Sequence, residues 1–191
     1  MKKEKLIIIA APSGSGKTTI VKKLFSLKEL NLGFSISTTT RIKRDNEIDG
    51  REYHFVSVSD FKEKIQNNDN IEWEEVYNNV YYGTTKSEIQ RLNGEEKNIV
   101  FDIDVVGGLN VKTQFPNTSI SIFVKPPGLT ELKKRLINRK TESQKSIEFR
   151  LDKATRELQY SDKYDFVIIN DNLELAIKEV KNIIYQFIKT Q

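Results

Sequence analysis

Four short apolar runs, at residues 6–10, 99–103, 119–124 and 166–169, are rich in Ile, Val and Phe and bounded by charged or turn-forming residues. Each has the length of a strand, and near-continuous apolar runs suit a parallel sheet covered on both faces. Ile20, Val21, Leu24, Phe25 and Leu27 follow the first run, and Leu173, Ile177, Val180, Ile184 and Phe187 fall three or four apart near the end, the spacing of amphipathic helices. Strands alternating with helices predict an α/β fold, a parallel sheet flanked by crossover helices.

Residues 35–84 break the alternation. Short β-prone pieces at 53–58, 71–76 and 80–82 surround a helical stretch at 60–66 that a Ser59/Asp60 cap opens. This predicts a small mixed α+β insert beside a core formed by 1–34 and 85–191. A second special segment, 129–157, has helical spacing (Leu129, Leu132, Leu136, Ile137, then Ile147, Leu151, Ala154, Leu158) with a break near 140–144.

Composition narrows the chemistry. Hydrophobic residues make up 37% and charged residues 30% of 191, enough apolar content for a sizeable core. There is no cysteine and a single histidine, His54, so a disulfide framework, a thiolate nucleophile and a His- or Cys-ligated metal are excluded, and any metal must be held by oxygen. The longest uncharged run, 113–124, contains Pro116 and falls far short of the roughly 20 apolar residues of a membrane span. The basic start runs straight into its apolar stretch with no cleavage pattern, so a cytoplasmic location is expected. The net charge of +4 raises the possibility of nucleic-acid binding. Its placement argues otherwise: residues 129–157 hold nine Lys/Arg against five Asp/Glu, a surplus of +4, which leaves the rest of the chain neutral in sum.

After the first predicted strand comes Ala11-Pro12-Ser13-Gly14-Ser15-Gly16-Lys17-Thr18, then a helix. Gly14 and Gly16 let successive N–H groups turn inward on phosphate oxygens, where the helix N-terminus adds its dipole. Lys17 offers a point charge to the β and γ phosphates, and the Thr18 hydroxyl is a Mg²⁺ ligand. This is the P-loop pattern with Ala11 in place of its first glycine, a replacement that requires a negative φ there. A chance Gly/Ser loop would not set strand, loop, Lys-Thr and helix in this order. A nucleoside triphosphate is the expected ligand.

Arg41 and Arg44, with Tyr53 downstream, make an anion clamp, because guanidinium forks match phosphate oxygens; on composition alone a solvated basic loop fits as well. Taken with their surroundings, Ser35-x-Ser37-x-Thr39-Thr40-Arg41-x-x-Arg44, Glu47-x-Asp49-Gly50-x-x-Tyr53-x-Phe55-Val56, Ile71-Glu72-Trp73, Tyr81-Tyr82-Gly83-Thr84, Phe101-Asp102-Ile103-Asp104 and Ile169-Asn170-Asp171, the sequence resembles the guanylate kinase family in block order along nearly its whole length.

The resemblance implies transfer of the γ-phosphoryl group of ATP to GMP, and to dGMP, on a P-loop core with a GMP-binding insert and a helical lid at about 136–150. It assigns the GMP phosphate to Arg41, Arg44, Tyr53 and Tyr82, and the guanine to Ser37, Glu72, Gly83, Thr84 and Asp104. Guanine offers N1–H and N2–H₂ as donors and O6 as acceptor, which carboxylates and hydroxyls complement. Arg135, Arg139 and Arg150 fall on the lid arginines and join Lys17, Arg41 and Arg44 as catalytic residues, while Asn170 falls on the adenine-side segment, contacting the base or ordering that loop. Asp102 and Asp104 alternate at a strand end; Asp102 is assigned to Mg²⁺ with Thr18, and Asp104 to guanine. Lys133, Lys134, Lys140, Lys145 and Lys153 read as solvated helix charges. Val106 and Lys140 depart from the family's usual Gln and Gly. The competing readings are a catalytically dead peptide-binding module, which the intact Gly16-Lys17-Thr18 opposes; a kinase for another acceptor, which Glu72 and Asp104 oppose; and a nucleic-acid binder, which the charge placement opposes. No membrane or nucleic-acid partner is expected.

Overall fold

The structure, a computed structural model, describes residues 5–138 and 144–190. In chain order the elements are β1 Leu6–Ala10, α1 Lys17–Phe25, β2 Leu32–Phe34, β3 Thr38–Thr39, β4 His54–Phe55, α2 Val58–Gln66, β5 Asn70–Tyr77, β6 Val80–Thr85, α3 Lys86–Gly94, β7 Asn98–Ile103, α4 Val105–Gln114, β8 Ser119–Lys125, α5 Leu129–Asn138, α6 Gln144–Leu158, β9 Phe166–Ile169 and α7 Leu173–Lys189. The larger sheet has the order β2-β7-β1-β8-β9 with every pair parallel.

β1 lies at the centre of that sheet, and all five of its residues are fully buried. Its alternation divides the core in two. Ile7 and Ile9 pack with Ile20 and Leu24 of α1 and Val180 and Ile184 of α7, whereas Leu6 and Ile8 pack with Leu92 of α3, Val105 and Val111 of α4, Phe101 and Phe123. Each fully buried Ile or Leu contributes about 1.5–3 kcal/mol relative to exposure, so the two sandwiched layers dominate the driving force.

The four runs read as strands all form strands of this sheet. A fifth strand, β2, was not foreseen, because three residues with a central glycine carry no periodic signal. Gly33 is required there: a Cβ would stand 2.7 Å from Lys97 Cβ and 2.8 Å from Leu92 Cδ2.

The smaller sheet has the order β4-β3-β6-β5, with β3–β6 and β5–β6 antiparallel. Its back carries α2, whose buried Phe61 stacks on Tyr81 at 5.3 Å. Here the strand expected over 53–58 shrinks to His54–Phe55, and the helix cap is Ser57 rather than Ser59/Asp60: the Ser57 hydroxyl accepts the Asp60 N–H at 3.1 Å. Among the described residues no helix is long and apolar enough to cross a membrane.

Candidate active site

The loop after β1 and the inner face of the smaller sheet form the two walls of one cleft of about 520 Å³. On the first wall, Gly14 and Gly16 have φ of 92° and 93°, while Ala11 is absent from the positive-φ residues, as its side chain requires. Lys17 Nζ donates to the Ile103 carbonyl at 2.7 Å and pairs with Asp102 Oδ1 at 2.7 Å. Thr18, in the first turn of α1, and Asp102 line the same cleft.

The loop is held from behind. Leu132 and Leu136 of α5, both fully buried, lie so close that a Cβ on Gly14 would stand 2.9 Å from Leu132 Cδ1. Asn170, also buried, donates from Nδ2 to the Ser15 carbonyl at 2.7 Å, and a Cβ on Gly16 would lie only 2.3 Å from that nitrogen. Asn170 thus orders the loop from its far side. Of the three lid arginines, Arg150 lines the cleft and donates to Ser13 Oγ at 2.6 Å. Arg135 turns away to the Asn170 carbonyl at 3.1 Å and to Glu131 at 3.2 Å. Arg139 lies outside the described residues.

On the facing wall, Arg41 is fixed from three sides. Its Nε donates to the Tyr82 hydroxyl at 3.1 Å, Nη2 to Glu47 Oε1 at 2.7 Å and Nη1 to the Ile42 carbonyl at 2.8 Å, with the Tyr53 ring 5.5 Å from the guanidinium. Glu47 also accepts the Arg44 N–H at 2.9 Å, and Arg41 and that N–H together hold its carboxyl below the usual carboxylate range. The Arg44 side chain is exposed and does not line the cleft. The Asp49-Gly50 turn seats Tyr53: Asp49 accepts the Phe55 N–H at 2.8 Å, and Gly50, at φ 76°, donates to the Tyr53 carbonyl at 2.9 Å.

Deeper in the cleft, Glu72 is 6% exposed and accepts the Thr84 hydroxyl at 2.7 Å. Burial pushes its carboxyl up to about 7, opposed by Thr84 and assisted by nearby Asp104. The Thr84 proton is committed to Glu72, while Ser37 lines the cleft with a hydroxyl that can donate into it. Asp104 caps α4, Oδ1 accepting the N–H groups of Val106 at 2.7 Å and Gly107 at 2.9 Å. A Cβ on Gly107 would stand 2.8 Å from Glu72 Oε2, so a side chain there would push that carboxylate aside.

The guanylate kinase family model matches residues 3–187 of this chain. The chain belongs to the guanylate kinase family. It is 46% identical to the guanylate kinase of Porphyromonas gingivalis over 184 residues, 96% of this chain and 98% of that one, and 40% identical to that of Salinibacter ruber over 97% of both. The crystal structure of guanylate kinase from Anaplasma phagocytophilum superposes with a TM-score of 0.78 at 25% identity, covering 100% of this chain and 89% of that one. Family membership makes the chain a phosphotransferase that moves a phosphoryl group from ATP to GMP.

Within this family frame the structure adds residues that sequence reading passed over. Glu47 orients Arg41. Lys153, read above as a solvated charge, instead lines the cleft with Glu157, 3.7 Å away, and burial raises the Glu157 carboxyl. Glu74 faces the same space, its carboxyl raised to about 7 by burial and by Asp104 beside it. Arg150, Lys153 and Glu157 recur at three- and four-residue steps, one helix face, and that spacing was the available signal.

Proposed function

We propose that the cleft binds ATP and GMP face to face and that these side chains carry an in-line transfer between them. One observation supports this: the phosphate loop, Glu72, Asp104, Tyr53 and Tyr82 line a single cleft, and Arg41 stands behind the Tyr82 hydroxyl at 3.1 Å. Backbone N–H groups of the loop from Ser13 to Thr18 cradle the donor phosphates, Lys17 neutralises the β and γ oxygens, and Arg150 stands at the loop already. Arg41, Arg44, Tyr53 and Tyr82 hold the GMP phosphate so that one of its oxygens faces the γ-phosphorus. That oxygen forms the new P–O bond as the bond to the β-phosphate oxygen breaks, yielding GDP and ADP. The acceptor is anionic at neutral pH and needs no general base, so catalysis is positioning plus stabilisation of charge on the moving group.

Glu72 and Asp104 accept from guanine N1–H and N2–H₂, and Ser37 donates to O6. Adenine lacks these donors and leaves a buried carboxylate unpaired, which discriminates strongly. Thr18 and Asp102 supply a hydroxyl and a carboxylate on one side of the donor phosphates, the oxygen donor set that Mg²⁺ accepts together with phosphate and water. Bound there, Mg²⁺ would neutralise charge on the β and γ oxygens. The insert of 35–84 carries the acceptor, the core of 1–34 and 85–191 the donor, and the lid at about 136–150 completes the closed site.

A coupled assay with ATP and each of GMP, AMP, CMP and UMP tests this. GMP should be turned over at least ~10³-fold more efficiently than AMP; comparable AMP turnover would refute the base-reading assignment.

A further inference from the structure

We propose that Glu74 reads the ribose of the acceptor nucleotide, its carboxylate accepting a hydrogen bond from the 2′-hydroxyl and thereby favouring GMP over its 2′-deoxy form. The inference rests on the cleft being the GMP site, as proposed above, and its own observations are the register of two strands and one orphaned oxygen. In the β5–β6 ladder Glu72 lies opposite Thr84 and Glu74 lies opposite Tyr82. Directly opposed residues share a face, so all four side chains belong to the cleft side, while Trp73 and Tyr81 turn to the back, where their rings meet 6.2 Å apart. A nucleotide with its base at Glu72 and Thr84 and its phosphate at Arg41, Tyr53 and the Tyr82 hydroxyl spans the inward position one step along β5, about 7 Å from Glu72. Glu74 occupies that position.

The neighbouring carboxylates are already engaged: Glu72 by Thr84, Asp104 Oδ1 by two helix N–H groups, and Glu157 by Lys153. Glu74 Oε2, by contrast, is buried and accepts from no donor among the described residues; the group beside it is the Asp104 carboxyl, itself an acceptor. A buried acceptor left unpaired is penalised, and a sugar hydroxyl is a neutral donor of the right reach to relieve it. The deoxynucleotide brings no donor and leaves the oxygen orphaned, so the discrimination comes from an unpaired group on the protein.

The test is kcat/KM for GMP and dGMP at fixed ATP in the wild type, Glu74→Ala and Glu74→Gln. The wild type should prefer GMP by about 10- to 100-fold. Glu74→Ala should erase that preference, with the loss falling on GMP and not on dGMP, and Glu74→Gln, whose amide oxygen still accepts, should keep a several-fold preference. The KM for ATP should not move in either variant. A wild type that uses GMP and dGMP alike, a preference that persists in Glu74→Ala, or an equal fall for both substrates would overturn the assignment while leaving the GMP reading intact. A wild type that phosphorylates neither substrate would overturn both.

Discussion

The two walls of the cleft are built on opposite principles. The donor wall is one contiguous loop whose binding groups are backbone N–H, shaped by two glycines at φ 92° and 93° and pressed from behind by Leu132, Leu136 and Asn170. The acceptor wall gathers side chains from separate elements, and two of them are aimed by other side chains: Arg41 by Glu47 and Tyr82, Glu72 by Thr84. Added atoms therefore break the donor wall, and removed atoms break the acceptor wall. Two residues cross the line: Lys17, a donor-side group that works through its side chain, and Gly107, an acceptor-side position where an added Cβ would push the Glu72 carboxylate aside.

Lys17 gives the largest expected effect. Lys17→Ala removes the charge over the donor phosphates and its tether to Ile103, and kcat should fall roughly 10³-fold with KM for GMP little changed, as measured in the coupled assay. Next comes an added methyl. Gly16→Ala meets Asn170 Nδ2 at 2.3 Å and a left-handed φ at once, so kcat/KM for ATP should drop by about 10²-fold. Asn170→Ala alone loses the tie to Ser15, so it is the reference: Gly16→Ala should cost less in that background than in the wild type, and an equal cost would refute the steric account of the donor wall.

The third prediction concerns pH. Glu72 has its folded-state pKa raised from an ordinary carboxyl value of 4.5 to about 7, so the folded nucleotide-free protein binds that proton more tightly than the unfolded chain. Its stabilising contribution is present below about pH 4.5 and is lost as pH rises to 7, on the order of 3 kcal/mol. Glu72→Gln should flatten that part of a stability profile followed by urea unfolding. If Glu72 accepts from guanine as proposed, it must do so ionised, and KM for GMP should fall over the same rise in pH. Smallest is Glu47→Ala, which frees Arg41 without removing it: KM for GMP should rise about 10-fold, KM for ATP should hold, and Glu47→Gln should restore part of the loss. Equal changes in both KM values would mean that the two walls are not separable.

The same contrast explains what the sequence made legible. The donor loop could be read from eight consecutive residues because its physics is local: glycine conformations, helix N-terminus, one lysine. The strands of the buried sheet were legible as apolar runs, except Leu32–Phe34, which is too short for a pattern and is a strand only because β7 offers it a partner. On the acceptor side, chemistry alone offered an anion clamp at Arg41, Arg44 and Tyr53 that a solvated loop matched equally, and the assignments to phosphate and base come from motif resemblance, since nothing in residues 41–53 says which carboxylate will meet which guanidinium. Glu47 belongs to one of the resembling blocks but carried no role there for that reason. Glu74 was masked differently: Glu72, Glu74 and Glu75 surround Trp73, so the two-residue alternation that places 72 and 74 inward is hidden by an acid facing outward as well. Lys153 had its signal in the helix face shared with Arg150, but charge alone suggested solvent.

Asp104 carries a consequence for how this enzyme can change over generations. The carboxylate assigned to guanine is also the one that starts α4, and losing such a cap costs about 0.5–2 kcal/mol. A lineage drifting toward another base could not relax this position alone: the first step toward promiscuity is also a step toward unfolding. Substrate identity is thereby tied to foldability, and neutral drift through Asp104 is closed unless Ser, Thr or Asn replaces it as the cap.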